Sequence, residues 1–143
     1  MSTQHTNLEA LLGADPYAAL LGIRFCEGGP GYAVVEMDVA DQHINFLNGG
    51  HGGAIFSIAD TAFGLASNSY DKISIGIDAH IAYVKGAVVG DRLTARAREI
   101  SRTRRTAAYR VDVTSGDNMI ATFTGTVHVS SRDHAGITED HAP

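Results

Sequence analysis

The chain has 143 residues, enough for one domain with a sizeable core, and its 44% hydrophobic and 19% charged content is ordinary for a globular protein. Its net charge of −5 argues against nucleic acid as a general partner, and its single cysteine, Cys26, excludes an internal disulfide. No stretch reaches ~18 uninterrupted apolar residues, and the start "MSTQHTNLEALLG" lacks the basic region and apolar core of a secretion signal, so a cytoplasmic protein with no membrane partner is expected.

In chain order, Leu8, Leu11, Leu12, Tyr17, Leu20 and Leu21 predict a short amphipathic helix broken near Asp15-Pro16. "EGGPG" (27–31) reads as turn punctuation. "YAVVEMDV" (32–39) alternates, with Val35, Met37 and Val39 facing a core, as a half-solvated strand does. A loop rich in Asn and Gly (41–50) precedes a long helix over 52–69, in which Ile55, Ile58, Ala59, Ala62, Leu65 and Ala66 form one apolar stripe. Strands are then expected over 73–84, 91–102, 105–115 and 118–130, the last two joined as a hairpin by "SGDN". One long helix with a run of antiparallel strands implies an α+β domain, a curved sheet wrapped around the helix. The expectation is a single domain over 1–143, with the 1–16 segment and the 131–143 tail loosely ordered.

The long helix carries one charge, Asp60, and its far side is read as Phe56, Phe63 and Gly64. A helix apolar all round needs cover all round, so a homodimer is expected. A lone carboxylate in such a layer costs several kcal/mol unless hydrogen-bonded or hydrated, which points to an acid held at a cleft where its reactivity is tuned. At the helix start, His51-Gly52-Gly53 offers backbone N–H groups unobstructed by Cβ atoms, with the helix dipole behind them, suited to a developing oxyanion. Eight residues separate Gly52 from Asp60, about 12 Å along one helix, so both reach one substrate atom only if they come from two protomers. The seven histidines show no metal-ligand spacing, and no nucleotide-binding glycine motif or serine-hydrolase elbow is present; neither metal nor cofactor is expected.

Asn45, His51-Gly52-Gly53 six residues on, and Asp60 nine after the His form a pattern that resembles the hotdog-fold acyl-CoA thioesterases, particularly the phenylacetate-degradation (PaaI-type) branch. The flanking "FSIADTAFGLASNS" (56–69), "SRTRRTAAYRVDV" (101–113) and "ATFTGTVH" (121–128) are similar too, and the likeness covers roughly 17–130. It implies homodimers assembled into tetramers, with each active site built across the subunit interface. In that picture Gly52 donates its N–H to the thioester oxygen, Asn45 orients thioester or water, and Asp60 of the other protomer is general base or nucleophile. His51 orders the helix start, with Gly53 beside the bound thioester. Some relatives carry a serine where this chain has Gly76, and Arg-Pro where it has Lys85-Gly86. The substrate is expected to be an aryl-acyl-CoA such as a (hydroxy)phenylacetyl thioester, its phosphates met by Arg102, Arg104, Arg105 and Lys85, and its acyl group by Phe56, Phe63 and Tyr83. Alternatives are an aliphatic acyl-CoA thioesterase, a non-catalytic acyl-CoA-binding protein and a thioester dehydratase.

Overall fold

A computed structural model describes residues 6–134. Residues 1–5 and 135–143, the outer parts of the two ends expected to be loose, lie outside the described residues. The predicted break at Asp15-Pro16 is a helix start. Helix α1 (Leu8–Gly13) is capped by Asn7, whose side chain accepts from Ala10 N–H, and α2 (Pro16–Leu21) by Asp15, which accepts from Ala18 N–H. Pro16 fixes the first helical φ, and Gly22 ends α2 in the left-handed region. Leu8 and Leu12 are buried, so this part of the N-terminal segment is packed rather than loose.

Strand β1 (Arg24–Gly29) runs through the glycines read as a turn, pairing Gly28 with Ala33 and Gly29 with Tyr32 of β2 (Tyr32–Asp38). The glycines mark close approach: a Cβ at Gly28 would sit 2.7 Å from Leu8, and one at Gly29 2.7 Å from the Tyr32 ring. The turn itself needs only Pro30 and Gly31, the latter at φ 79°.

After a 3-10 turn at Asp41–His43, α3 (Gly52–Ser67) carries the chain beneath the sheet to β3 (Lys72–Tyr83). Strands β4 (Arg92–Arg102), β5 (Thr106–Ser115) and β6 (Asn118–Asp133) follow, β6 running three residues beyond its expected end. The antiparallel sheet has the order β1-β2-β4-β5-β6-β3, so β3 lies at the far edge and pairs with β6 alone. This six-stranded sheet wrapped on one long helix is the hotdog fold.

The expected stripe of α3 is buried throughout, but the far side differs from the expectation. Phe63 is 3% exposed, because the curved sheet reaches round to it. Its ring fills a slot where β3 and β6 carry Gly76 and Gly125, against Tyr109 and Phe123 at centroid distances of 5.9 and 5.4 Å. Phe56 is half-buried, edge-on to Phe123 at 5.6 Å. The outward face of α3 is therefore small and polar, made of Gly53, Ser57, Asp60, Thr61 and Gly64, not apolar as expected. The two ends of α3 are tied to the two ends of β3. Tyr83 OH donates to Gly52 O at 3.0 Å, and Asn68 exchanges side-chain bonds with the Ser74 backbone at 2.9 and 3.1 Å.

Candidate active site

Residues 44–51 form a tight loop that delivers the chain to α3. Asn45 is its organiser: the side-chain oxygen accepts from Leu47 N–H at 2.9 Å and Gly49 N–H at 3.2 Å. With that oxygen occupied, the amide NH₂ group is the part left to donate outward. Gly50 N–H reaches Ala87 O at 2.7 Å, and a Cβ at Gly50 would lie 3.0 Å from Ala87 Cβ, so the 84–90 loop clamps this one. His51 N–H bonds His43 O at 2.7 Å. The buried His43 uses both ring nitrogens, Nδ1 accepting from Ala40 N–H and Nε2 bonding Leu21 O, and so ties α2 to the loop. The histidine count could not single it out, since only its neighbours give it this role.

The helix start separates the roles of the His-Gly-Gly residues. His51 is the N-cap, its Nδ1 accepting from Gly53 N–H at 2.8 Å. Its carbonyl accepts from Ala54 N–H at 3.0 Å and Ile55 N–H at 3.1 Å. Among the described residues Gly52 N–H has no acceptor, and it is the one first-turn donor left facing out. Gly53 thus serves the cap, and its N–H is not free for a ligand.

Asp60 opens onto a cleft of about 470 Å³ walled by Leu11, Asp15 and Tyr17 on one side and Ser57, Thr61 and Gly64 of α3 on the other. The carboxyl is exposed at the mouth of this cleft. Even so, surrounding protein raises its pKa above the usual carboxylate range, burial contributing most and the Asp15 charge adding to it. No hydrogen bond or ion pair among the described residues holds it in the charged form. Tyr17 OH and Ser57 Oγ are 3.2 Å apart, and Ser57 Oγ–H donates to Gly53 O at 2.7 Å.

The four basic residues expected to act together are divided. Arg102 lies 3.9 Å over the Tyr70 ring and contacts Glu99 at 3.5 Å, while Glu99 also accepts from Tyr70 OH at 3.1 Å and Tyr109 OH at 3.0 Å. That side chain is committed to a packed polar cluster and is not part of a basic groove. Arg104 and Arg105, on the β4–β5 turn, line a groove of about 520 Å³ with Lys72, His128, Ser130 and Ser131. Lys72 and His128 escaped sequence reading because strand pairing, not spacing, brings them there. Lys85 lies past the other end of β3, bonded to Asn118 Oδ1 at 3.1 Å, and within one chain it does not join the arginines. Phe63, as described above, is core rather than cleft wall, and Phe56 is packed on the core's rim. Among the described residues no three His, Cys, Asp or Glu side chains gather as metal ligands, and no helix is long and apolar enough to cross a membrane.

The sequence pattern described as the thioesterase superfamily matches residues 48–122, the span from the 44–51 loop through α3 to β6. The chain belongs to the thioesterase superfamily. Acyl-coenzyme A thioesterase PaaI of Escherichia coli is 33% identical over 85% of this chain and 88% of its own length. A putative esterase of Archaeoglobus fulgidus is 43% identical over 83% of this chain and 78% of its own. The structure of the E. coli PaaI protein, from the phenylacetic acid degradation operon, superposes with a TM-score of 0.86 at 32% identity, covering 89% of this chain and 93% of that one. The Streptococcus mutans protein smu.793, solved bound to acetyl CoA, gives a TM-score of 0.74 at 28% identity, covering 78% of this chain and 90% of that one. This superfamily member is a thioester hydrolase.

Proposed function

We propose that this thioesterase hydrolyses acyl-CoA thioesters, with aryl-acyl groups such as (hydroxy)phenylacetyl preferred, at sites shared between two protomers. The observation that carries the reading is that, among the described residues, α3 holds both an unclaimed N–H, Gly52, and a carboxylate without a hydrogen-bond or ion-pair partner, Asp60. The Streptococcus mutans neighbour holds acetyl CoA and the E. coli relative is an acyl-coenzyme A thioesterase, which supports the coenzyme A part. The aryl preference rests on likeness to PaaI.

Since the outward face of α3 is polar, support for a homodimer comes from β3 instead. It is a 12-residue edge strand with Ile75, Ile77 and Tyr83 exposed, a surface that calls for cover. Two such edges paired antiparallel about a two-fold axis would bring the Gly52 end of one α3 to the Ser67 end of the other, because Tyr83 and Asn68 tie those helix ends to opposite ends of β3. Further pairing into tetramers rests on the family resemblance.

In the shared site Gly52 N–H donates to the thioester oxygen as its negative charge grows, the helix dipole reinforcing it. The Asn45 NH₂ group orients the thioester or the attacking water. The partner subunit's Asp60 takes the water proton as the C–O bond forms, or attacks directly to give a mixed anhydride that water then opens. Either way the C–S bond breaks, the sulfur leaves as thiolate and is protonated to free CoA, and the acyl group leaves as the acid. Water is the only other reactant, so no cofactor is invoked. Arg104 and Arg105, in a groove whose third cation, Lys72, is paired with Asp133 at 2.7 Å, would seat the CoA phosphates, with Lys85 contributed from the opposite end of the paired strands. Cys26, free and exposed, suits a reducing compartment, the cytoplasm.

Thiol release from a panel of aromatic and aliphatic acyl-CoAs, with wild type and Asp60→Asn compared, tests this reading. Fast release from phenylacetyl-type substrates, lost in the variant, is expected. Faster release from aliphatic substrates would overturn the aryl preference, and binding without release would indicate a carrier.

A further inference from the structure

The Gly52–Gly53 peptide is gripped at both polar ends by side chains. Its carbonyl, Gly52 O, accepts the Tyr83 hydroxyl at 3.0 Å, and its N–H, that of Gly53, is held by His51 Nδ1 at 2.8 Å. A glycine pair has more backbone freedom than any other dipeptide, and the first turn of a helix has the fewest internal bonds to restrain it. The two glycines are also what lets the grips come so close. A Cβ at Gly52 would sit 3.3 Å from Tyr83 Cζ and Oη, and one at Gly53 2.9 Å from His51 Nδ1. The Tyr83 hydroxyl is on an exposed side chain that water alone could satisfy, yet it bonds a helix carbonyl.

We propose that Tyr83 is a positioning residue for the reaction: its hydroxyl and the His51 imidazole fix the plane of the Gly52–Gly53 peptide and thereby the aim of the adjoining Gly52 N–H. This rests on the reading of Gly52 as the donor to the thioester oxygen. Gly52 N–H shares its peptide plane with His51 O, which accepts from Ala54 and Ile55 N–H at 3.0 and 3.1 Å, and Gly52 joins that plane to the one gripped by Tyr83 and His51; with both planes held, the N–H direction is fixed. Tyr83 is also the last residue of β3, the edge strand on which a second protomer would pair. It therefore ties the aim of the donor to the strand that would deliver the partner's Asp60. The effect belongs in the transition state, where the oxygen carries charge, and not in ground-state binding.

Tyr83→Phe keeps the ring against Gly52 and removes only the hydroxyl. With whichever acyl-CoA wild type hydrolyses fastest, the variant is expected to lose about tenfold in kcat with KM changed less than about twofold. Hydrogen exchange over residues 52–56 should be faster in the variant while the rest of α3 is unchanged. A kcat within twofold of wild type overturns the proposal and leaves the thioesterase reading standing. So does a raised KM at constant kcat, which would place the hydroxyl on the substrate, and so does unaltered exchange over 52–56. Wild type inert toward every acyl-CoA would overturn both together. If Tyr83→Phe is fully active and Tyr83→Leu is not, the ring alone matters and the hydroxyl has no positioning role.

Discussion

At the scale of single residues, Asp60 combines the role proposed for it with a cost. Burial and the Asp15 charge disfavour its ionised form in the folded chain, so its pKa is raised relative to the unfolded chain. The stability cost is therefore present at pH above the folded pKa and absent below the unfolded one, where Asp60 is protonated in both states. Asp60→Asn should abolish hydrolysis by about 10²–10⁴-fold and raise Tm at pH 7, the gain shrinking as pH falls into the carboxylate range; thermal melts across pH check the sign. Asp15, Tyr17 and His134 line the same cleft, and Asp15 supplies the neighbouring like charge. Asp15→Asn should accordingly move the acid limb of kcat/KM to lower pH. Gly52 allows a sharper test than alanine. Proline at the first helical position keeps the helix and deletes the N–H, and His51, extended at ψ 130°, is a residue that can precede proline; a Cβ at Gly52 would lie 3.3 Å from Tyr83 Cζ and Oη, so the loss beyond that of Tyr83→Phe is what reports the N–H. Gly52→Pro should fold and lose about 10²–10³-fold in kcat, read by thiol release beside a melt.

At the scale of elements, the spacing of α3 located its buried stripe, but the width of that stripe was not legible. A sheet that encloses Phe63 leaves a narrow outward arc, and room for that ring depends on Gly76 of β3 and Gly125 of β6, with two strands between them in sequence. A Cβ at Gly125 would meet Phe63 Cζ at 2.8 Å. Gly125→Ala should cost about 1–3 kcal/mol, measured by denaturant unfolding, with kcat per folded molecule little changed. The β4–β5 turn shows the same limit. Arg102, Arg104 and Arg105 are neighbours in sequence, yet the first faces Glu99 and Tyr70 while the other two face a groove. Arg102→Gln should lower Tm and leave KM near wild type, whereas Arg104→Gln with Arg105→Gln should raise KM several-fold at constant Tm. The β1 glycines, read as a turn and found in a strand, have the same origin: contact with Leu8 and Tyr32, not backbone conformation, requires them.

At the scale of the whole molecule, the proposed sharing of the site between protomers makes a prediction that no single-chain arrangement shares. Gly52→Pro and Asp60→Asn, each inactive alone, should complement when co-expressed. Half the dimers would be mixed and one site in each intact, giving about a quarter of wild-type activity. Activity no higher than the two parents would mean that both groups act within one chain or not at all. The sequence by itself determined the alternation of elements, the long helix, its buried stripe and the His-Gly-Gly cap, because these depend on local spacing; the apolar surroundings expected for Asp60 were not found, since the sheet encloses Phe63 and leaves Asp60 on a polar face. Tertiary structure alone decided which N–H remains free, which arginines are committed, and that β3 lies at an edge. Those depend on partners distant along the chain, such as Tyr83 with Gly52 and Glu99 with Tyr109, and a contact between distant residues leaves no period in the sequence.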